Sequence, residues 1–89
     1  MKKMLLIITS PVSGGSAVAS SLIKQADTIV LTQNGVFNRP DIFAGTKEGA
    51  TLSVVAEDSS ARYQEPAIDS IARKEVVALI EQHEKIATL

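Results

Sequence analysis

Hydroxyls and glycines crowd the segment Thr9-Ser10-Pro11-Val12-Ser13-Gly14-Gly15-Ser16, which lies between an apolar run and a helical pattern. At a strand-loop-helix junction, such residues offer backbone N–H groups and hydroxyl donors to an anion. Ser10, Ser13, Gly14, Gly15 and Ser16 are therefore candidate anion-binding residues. The segment fits neither G-x-x-x-x-G-K-S/T nor G-x-G-x-x-G, because no lysine follows the glycines and their spacing differs. A plainer reading stands beside it: Gly14 and Gly15 permit a tight turn while Ser13 or Ser16 caps the helix.

The second candidate region is Ile29-Val30-Leu31-Thr32-Gln33-Asn34-Gly35-Val36-Phe37, a β-branched run that ends in amide side chains and a glycine. It reads as a buried strand that delivers a polar turn to the carboxyl edge of an open sheet, where ligands and partner chains usually meet such folds. Arg62 follows the third predicted strand and reaches the same edge in a parallel sheet. An arginine there serves as an anion clamp, as an interface pair, or as an ordinary surface residue. Gln33, Asn34, Gly35, Phe37 and Arg62 are the candidate contact residues. Phe37 is either the anchor of that contact or a member of the domain's own core.

Other chemistry is poorly supported. The chain has no cysteine, which removes disulfides, thiolate catalysis and cysteine-ligated metals together. Glu57 and Asp58 lack a neighbouring histidine or further carboxylates, so they read as a solvated acidic turn with Asp58 as a cap. His83, the single histidine, falls near the end of the last helix in a solvated position favoured by the helix dipole. Serines are plentiful, but no G-x-S-x-G elbow and no placed base accompany them. No catalytic residue, metal ligand or cofactor is assigned, and an enzyme is not the expected reading.

Around these residues, 89 positions suffice for one small domain with one core. Hydrophobic residues make up 45% and aromatics 3%, so the core must be built from Ile, Leu, Val and Ala. Nine Lys or Arg against ten Asp or Glu give a net charge of −1, which argues against direct nucleic-acid binding. The opening Met1-Lys2-Lys3-Met4-Leu5-Leu6-Ile7-Ile8 resembles the start of a signal peptide, but Thr9-Ser10-Pro11 interrupts it and it reads as a first strand. No stretch approaches the ~20 apolar residues of a membrane span, so a cytoplasmic protein is expected.

The pattern predicts strands over Leu5 to Ile8, Ile29 to Leu31, Thr51 to Ala56 and Ala67 to Ile71, with a final edge strand over Ile86 to Leu89. Helices are predicted over Ala17 to Ala26, with Val18, Leu22 and Ala26 on one face and Ala19 and Ile23 alongside, and over Arg73 to His83. In the latter, Val76, Leu79 and Ile80 line the docking face with Val77 beside them. Glu81 and Lys85 form a supporting pair if that helix extends far enough. A short helix from Pro40 to about Phe43 or Ala44, leaving at Gly45, and a turn from Ser59 to Tyr63 complete the reading. The expected fold is a single small layered α/β domain, with a mainly parallel central sheet of four or five strands and helices on both faces.

Asn34-Gly35-Val36-Phe37, the later strand Leu52-Ser53-Val54-Val55-Ala56 with Glu57-Asp58, and the pair Ala61-Arg62 together resemble the DsrH/TusB-like branch of the DsrE/DsrF/DsrH-like sulfur-relay family. The likeness covers most of the chain. It implies a subunit that associates with DsrE/TusD-like and DsrF/TusC-like chains to pass persulfide sulfur, in the TusB-like case toward 2-thiolation of the wobble uridine in tRNA. Some DsrH-like chains hold a cysteine in the first helix, where this chain reads Ala17-Val18-Ala19-Ser20-Ser21-Leu22. Tyr63 also replaces the glycine that often follows the Ala-Arg pair. The resemblance thus implies a non-catalytic subunit acting through protein-protein contacts, with other subunits or as a homo-oligomer. The alternative class is a stand-alone homo-oligomeric domain of flavodoxin-like type that binds a small anion or a nucleotide phosphate.

Overall fold

The computed structural model describes residues 3–11, 17–38, 45–62 and 69–89. Within them, five strands form one sheet: β1 (Met4–Ile8), β2 (Thr28–Leu31), β3 (Thr51–Val55), β4 (Asp69–Ile71) and β5 (Lys85–Thr88). Their order is β4-β3-β2-β1-β5 and every neighbouring pair is parallel. Leu5 faces Thr28 across one side of β1 and Ile86 across the other. The fold is thus the layered α/β structure expected from the pattern of apolar runs.

Parallel strands covered on both faces need nearly continuous apolar sequence, and the central strands supply it. β2 is buried along its whole length, and β1 at four of its five positions. Alternation along the strands sorts these residues into two cores. One holds Leu6, Ile8, Ile29, Leu31 and Val54 with Ile23 and Ala26, contributed by and just after α1 (Ala17–Gln25). The other holds Leu5, Val30 and Val55, packed by Val76 and Leu79 of α3 (Arg73–Gln82). The two helices therefore cover opposite faces.

Several expectations shift in register. Along α1 and the residue after it the buried stripe is Ala19, Ile23 and Ala26, while Val18 stands exposed. Spacings of four and then three follow the 3.6-residue turn better than a repeat of four, which drifts around the helix. In α3 only Val76 and Leu79 pack on the sheet; Val77 and Ile80 face outward, and no residue of this helix is fully buried. Because α3 ends at Gln82 and Lys85 opens β5, Glu81 and Lys85 are not a helical pair. The short helix expected from Pro40 lies outside the described residues, as do the expected caps Ser13 and Ser16.

The third strand stops at Val55, and Ala56 begins α2 (Ala56–Ala61), so Asp58 lies inside a helix rather than at its cap. His83 is half-buried, not solvated. Its Nδ1 contacts the Leu79 carbonyl oxygen at 2.6 Å and its Nε2 the Thr28 hydroxyl at 2.8 Å. A carbonyl only accepts, so Nδ1 carries the proton of that bond. The ring thereby ties the end of α3 to the start of β2.

At the amino edge of the sheet, Asp27 performs a similar task. Its carboxylate accepts the Met4 N–H at 2.8 Å and pairs with Lys47 at 2.5 Å, and its carbonyl accepts the Thr51 N–H at 3.0 Å. The Lys47 bond, then the Met4 N–H, hold this carboxyl below its ordinary value. Three strand starts are thus fixed by one residue.

Gly35 sets how the chain leaves β2. A Cβ placed on it would stand 2.8 Å from the carbonyl carbon of Ile8 and closer still to its oxygen, so only glycine lets the turn close over the end of β1. Gly35→Ala is therefore expected to lower stability by about 1–3 kcal/mol, as other overpacking changes do. Gly45→Ala is the control, since its Cβ would meet only the Lys24 side chain at 3.7 Å. Urea denaturation of the two variants checks this; equal midpoints would contradict it.

Candidate functional site

The carboxyl edge is organised around Asp58. The backbone after β2 forms a 3-10 helix (Gln33–Phe37), and Gln33 takes a φ of 51°, in the left-handed region that a side chain disfavours. That conformation comes with a specific bond: the Gln33 N–H donates to Asp58 Oδ2 at 2.9 Å. The Thr32 hydroxyl donates to the same oxygen at 2.5 Å. Asp58 Oδ1 accepts from Arg73 Nη2 and stands 3.7 Å from Arg62 Nη1. One buried carboxylate therefore joins the end of β2, the helix α2 and the start of α3.

Burial pushes the Asp58 carboxyl up. The Gln33 N–H, the Thr32 hydroxyl and the Arg73 and Arg62 charges outweigh that and leave it below the ordinary carboxylate value. Glu57 is exposed, yet its carboxylate accepts the Arg73 backbone N–H with both oxygens at 3.0 Å. That bond holds its carboxyl below the ordinary value as well. The expected solvated acidic turn is thus corrected: Glu57 fastens α3, and Asp58 is a buried hub. Consecutive residues in a helix point about 100° apart, which allows one to face inward and the other outward.

The structure brings most of the predicted contact residues to this edge. Arg62 Nε donates to Asn34 Oδ1 at 2.9 Å, and Arg62 Nη1 donates to the Asp58 carbonyl at 3.3 Å. Asn38 donates from Nδ2 to the carbonyls of Gly35, at 2.8 Å, and Ser10, at 3.0 Å, which links the turn to the chain after β1. Gln33, Asn34 and Phe37 are exposed, Phe37 at 44%. Gly35 is buried against β1, so it shapes this edge without belonging to its surface.

Of the predicted anion-binding residues, Ser10 is exposed at this edge, whereas Ser13, Gly14, Gly15 and Ser16 lie outside the described residues. Arg73, unmarked in the sequence reading, belongs to the site. Its signal was present as the first residue of a helix following a strand, which places it at the same edge as Arg62. Among the described residues no group of histidines and carboxylates is placed to hold a metal ion, and no helix is long and apolar enough to cross a membrane.

The arrangement can orient guanidinium groups and present an aromatic ring. Because the folded-state value of Asp58 is depressed, its contribution to stability is full above the unfolded value of ~3.9 and is lost as pH falls through the folded one. Wild-type stability should therefore decline below about pH 4, and Asp58→Asn should flatten part of that decline, to which Asp27 and Glu57 also contribute. At pH 7 the substitution should cost about 2 kcal/mol, the usual scale for hydrogen bonds to a charged group. Denaturant titrations from pH 7 to pH 3 read both effects.

Compared with known proteins, the chain matches no protein-family model, no curated protein and no solved structure.

Proposed function

We propose that the chain is a non-catalytic subunit of the DsrH/TusB-like kind, working in a sulfur relay through contact of its carboxyl edge with another chain. The observation that carries this reading is Phe37, exposed at the rim of an ordered turn instead of packed in the core. In a chain with 3% aromatic residues, leaving a large ring in water is costly unless something covers it. Aromatic and arginine side chains on an otherwise polar surface are also the usual anchors of protein contacts. Phe37 and Arg62, with Gln33 and Asn34 beside them, have that composition.

The same reading accounts for the missing thiol. A chain without cysteine cannot carry persulfide sulfur, so the sulfur must travel on a partner's thiol, and this subunit contributes shape and contacts. The partners are DsrE/TusD-like and DsrF/TusC-like chains, or a second copy of this one. In the TusB-like case the relay leads toward 2-thiolation of the tRNA wobble uridine, with the nucleic acid met through the partners.

Co-expression with cysteine-bearing DsrE- and DsrF-like chains tests the assignment, with a stable complex expected on size-exclusion chromatography. Phe37→Ala should abolish that complex while lowering the melting temperature by no more than a few degrees, since the ring contributes little to the domain's own core. An intact complex with a sharply lowered melting temperature would return Phe37 to a purely structural role.

A further inference from the structure

Among the described residues, the Asp58 hub leaves guanidinium donors to spare. Two guanidinium groups approach one carboxylate oxygen, Arg73 through Nη2 and Arg62 through Nη1 at 3.7 Å. The other nearby carboxylate among the described residues, Glu57, accepts the Arg73 backbone N–H. Among the described residues, Arg73 uses one of the five guanidinium donors on its side chain. Arg62 directs Nε to Asn34 and Nη1 to the Asp58 carbonyl, and its Nη2 has no partner among the described residues. The Arg73 side chain is 62% exposed and that of Arg62 26%, while Asp58 beneath them is 6% exposed.

We propose that Arg62 and Arg73 form an oxyanion site at the carboxyl edge of β2 and β3, specific for a phosphoryl group, with Asp58 as the buried residue that holds both guanidiniums in place. Asp58 and the nearby Glu57 already offset the two guanidinium charges, so a ligand is selected by hydrogen-bond geometry, and a phosphoryl group offers two forks more acceptor oxygens than a carboxylate does. Planar guanidinium forks match the oxygens of a phosphoryl group, and their anchoring on Asp58 removes much of the side-chain entropy that an unheld arginine loses on binding. This site is distinct from the Ser10-to-Ser16 segment and does not rest on the contact reading, since it needs no partner chain.

Phosphate titration of the isolated, isotope-labelled chain at pH 7 and constant ionic strength tests it by NMR. Saturable shifts of the Arg62 and Arg73 Nε–H signals in the low-millimolar range are expected, with the amides of Asp27 and Lys47 at the opposite edge unmoved. Arg62→Gln and Arg73→Gln should each weaken phosphate binding about tenfold or more. Arg73→Lys, which keeps a charge beside Asp58 but loses the fork, should weaken it while preserving the fold. Unsaturable shifts, or unchanged affinity in any of these variants, would overturn the site. Acetate bound as tightly as phosphate would overturn its phosphoryl specificity. Complex formation on the size-exclusion column is read separately, so either proposal can fail while the other stands.

Discussion

A buried carboxylate must be satisfied on every side, and at Asp58 that requirement fixes the carboxyl edge of the sheet. Leaving such a charge without partners would cost several kcal/mol or force it to take up a proton. Thr32 and Gln33 meet one of its oxygens and two arginines the other, so three separate elements are brought to one point. The left-handed backbone of Gln33 follows from this. A residue in that region costs about 1 kcal/mol or more, and it persists here where its N–H completes the carboxylate's shell.

The sheet has an aspartate at each end, and the two differ in consequence. Asp27, with 29% of its side chain exposed, joins the starts of β1, β2 and β3 to each other and to Lys47. Water competes for its ion pair, so its contribution comes mainly from the backbone groups it satisfies. Asp58 is shielded, and its partners are side chains whose positions it dictates. One aspartate closes the scaffold; the other shapes the exposed carboxyl edge.

The strands and the two long helices were legible because burial on both faces forces near-continuous apolar runs, and helical docking forces a repeat near 3.6. Within those elements, the outward turn of Val18, Val77 and Ile80 was not legible, because the sequence marks an apolar stripe without marking its centre. Asp58 was misread for a different reason. An acidic pair after a strand usually lies in water, and only the convergence of Thr32, Gln33 and Arg73 from distant positions makes burial affordable. The half-buried His83 is the same case, since its partner Thr28 lies fifty-five residues earlier. Long-range polar contacts leave no periodic trace. Gly35 was visible as a turn residue, yet its closeness to Ile8 required knowing that the turn folds over the neighbouring strand.

The position of β1 between β2 and β5 has a kinetic consequence. Its pairing with β2 joins Leu5 to Thr28, whereas its pairing with β5 includes a bond between Thr9 and Leu89, separated by 80 positions. Loop-closure entropy grows slowly, about 0.6 kcal/mol per doubling of length, so the longer closure costs only ~1 kcal/mol more. The thermodynamic difference is small, but the order of events follows it. Closures of short sequence separation tend to come first, so β1 is expected to pair with β2 across the α1 crossover before β5 joins it. Until then one edge of β1 stays open, which makes the joining of β5 the step most exposed to competing strand pairing.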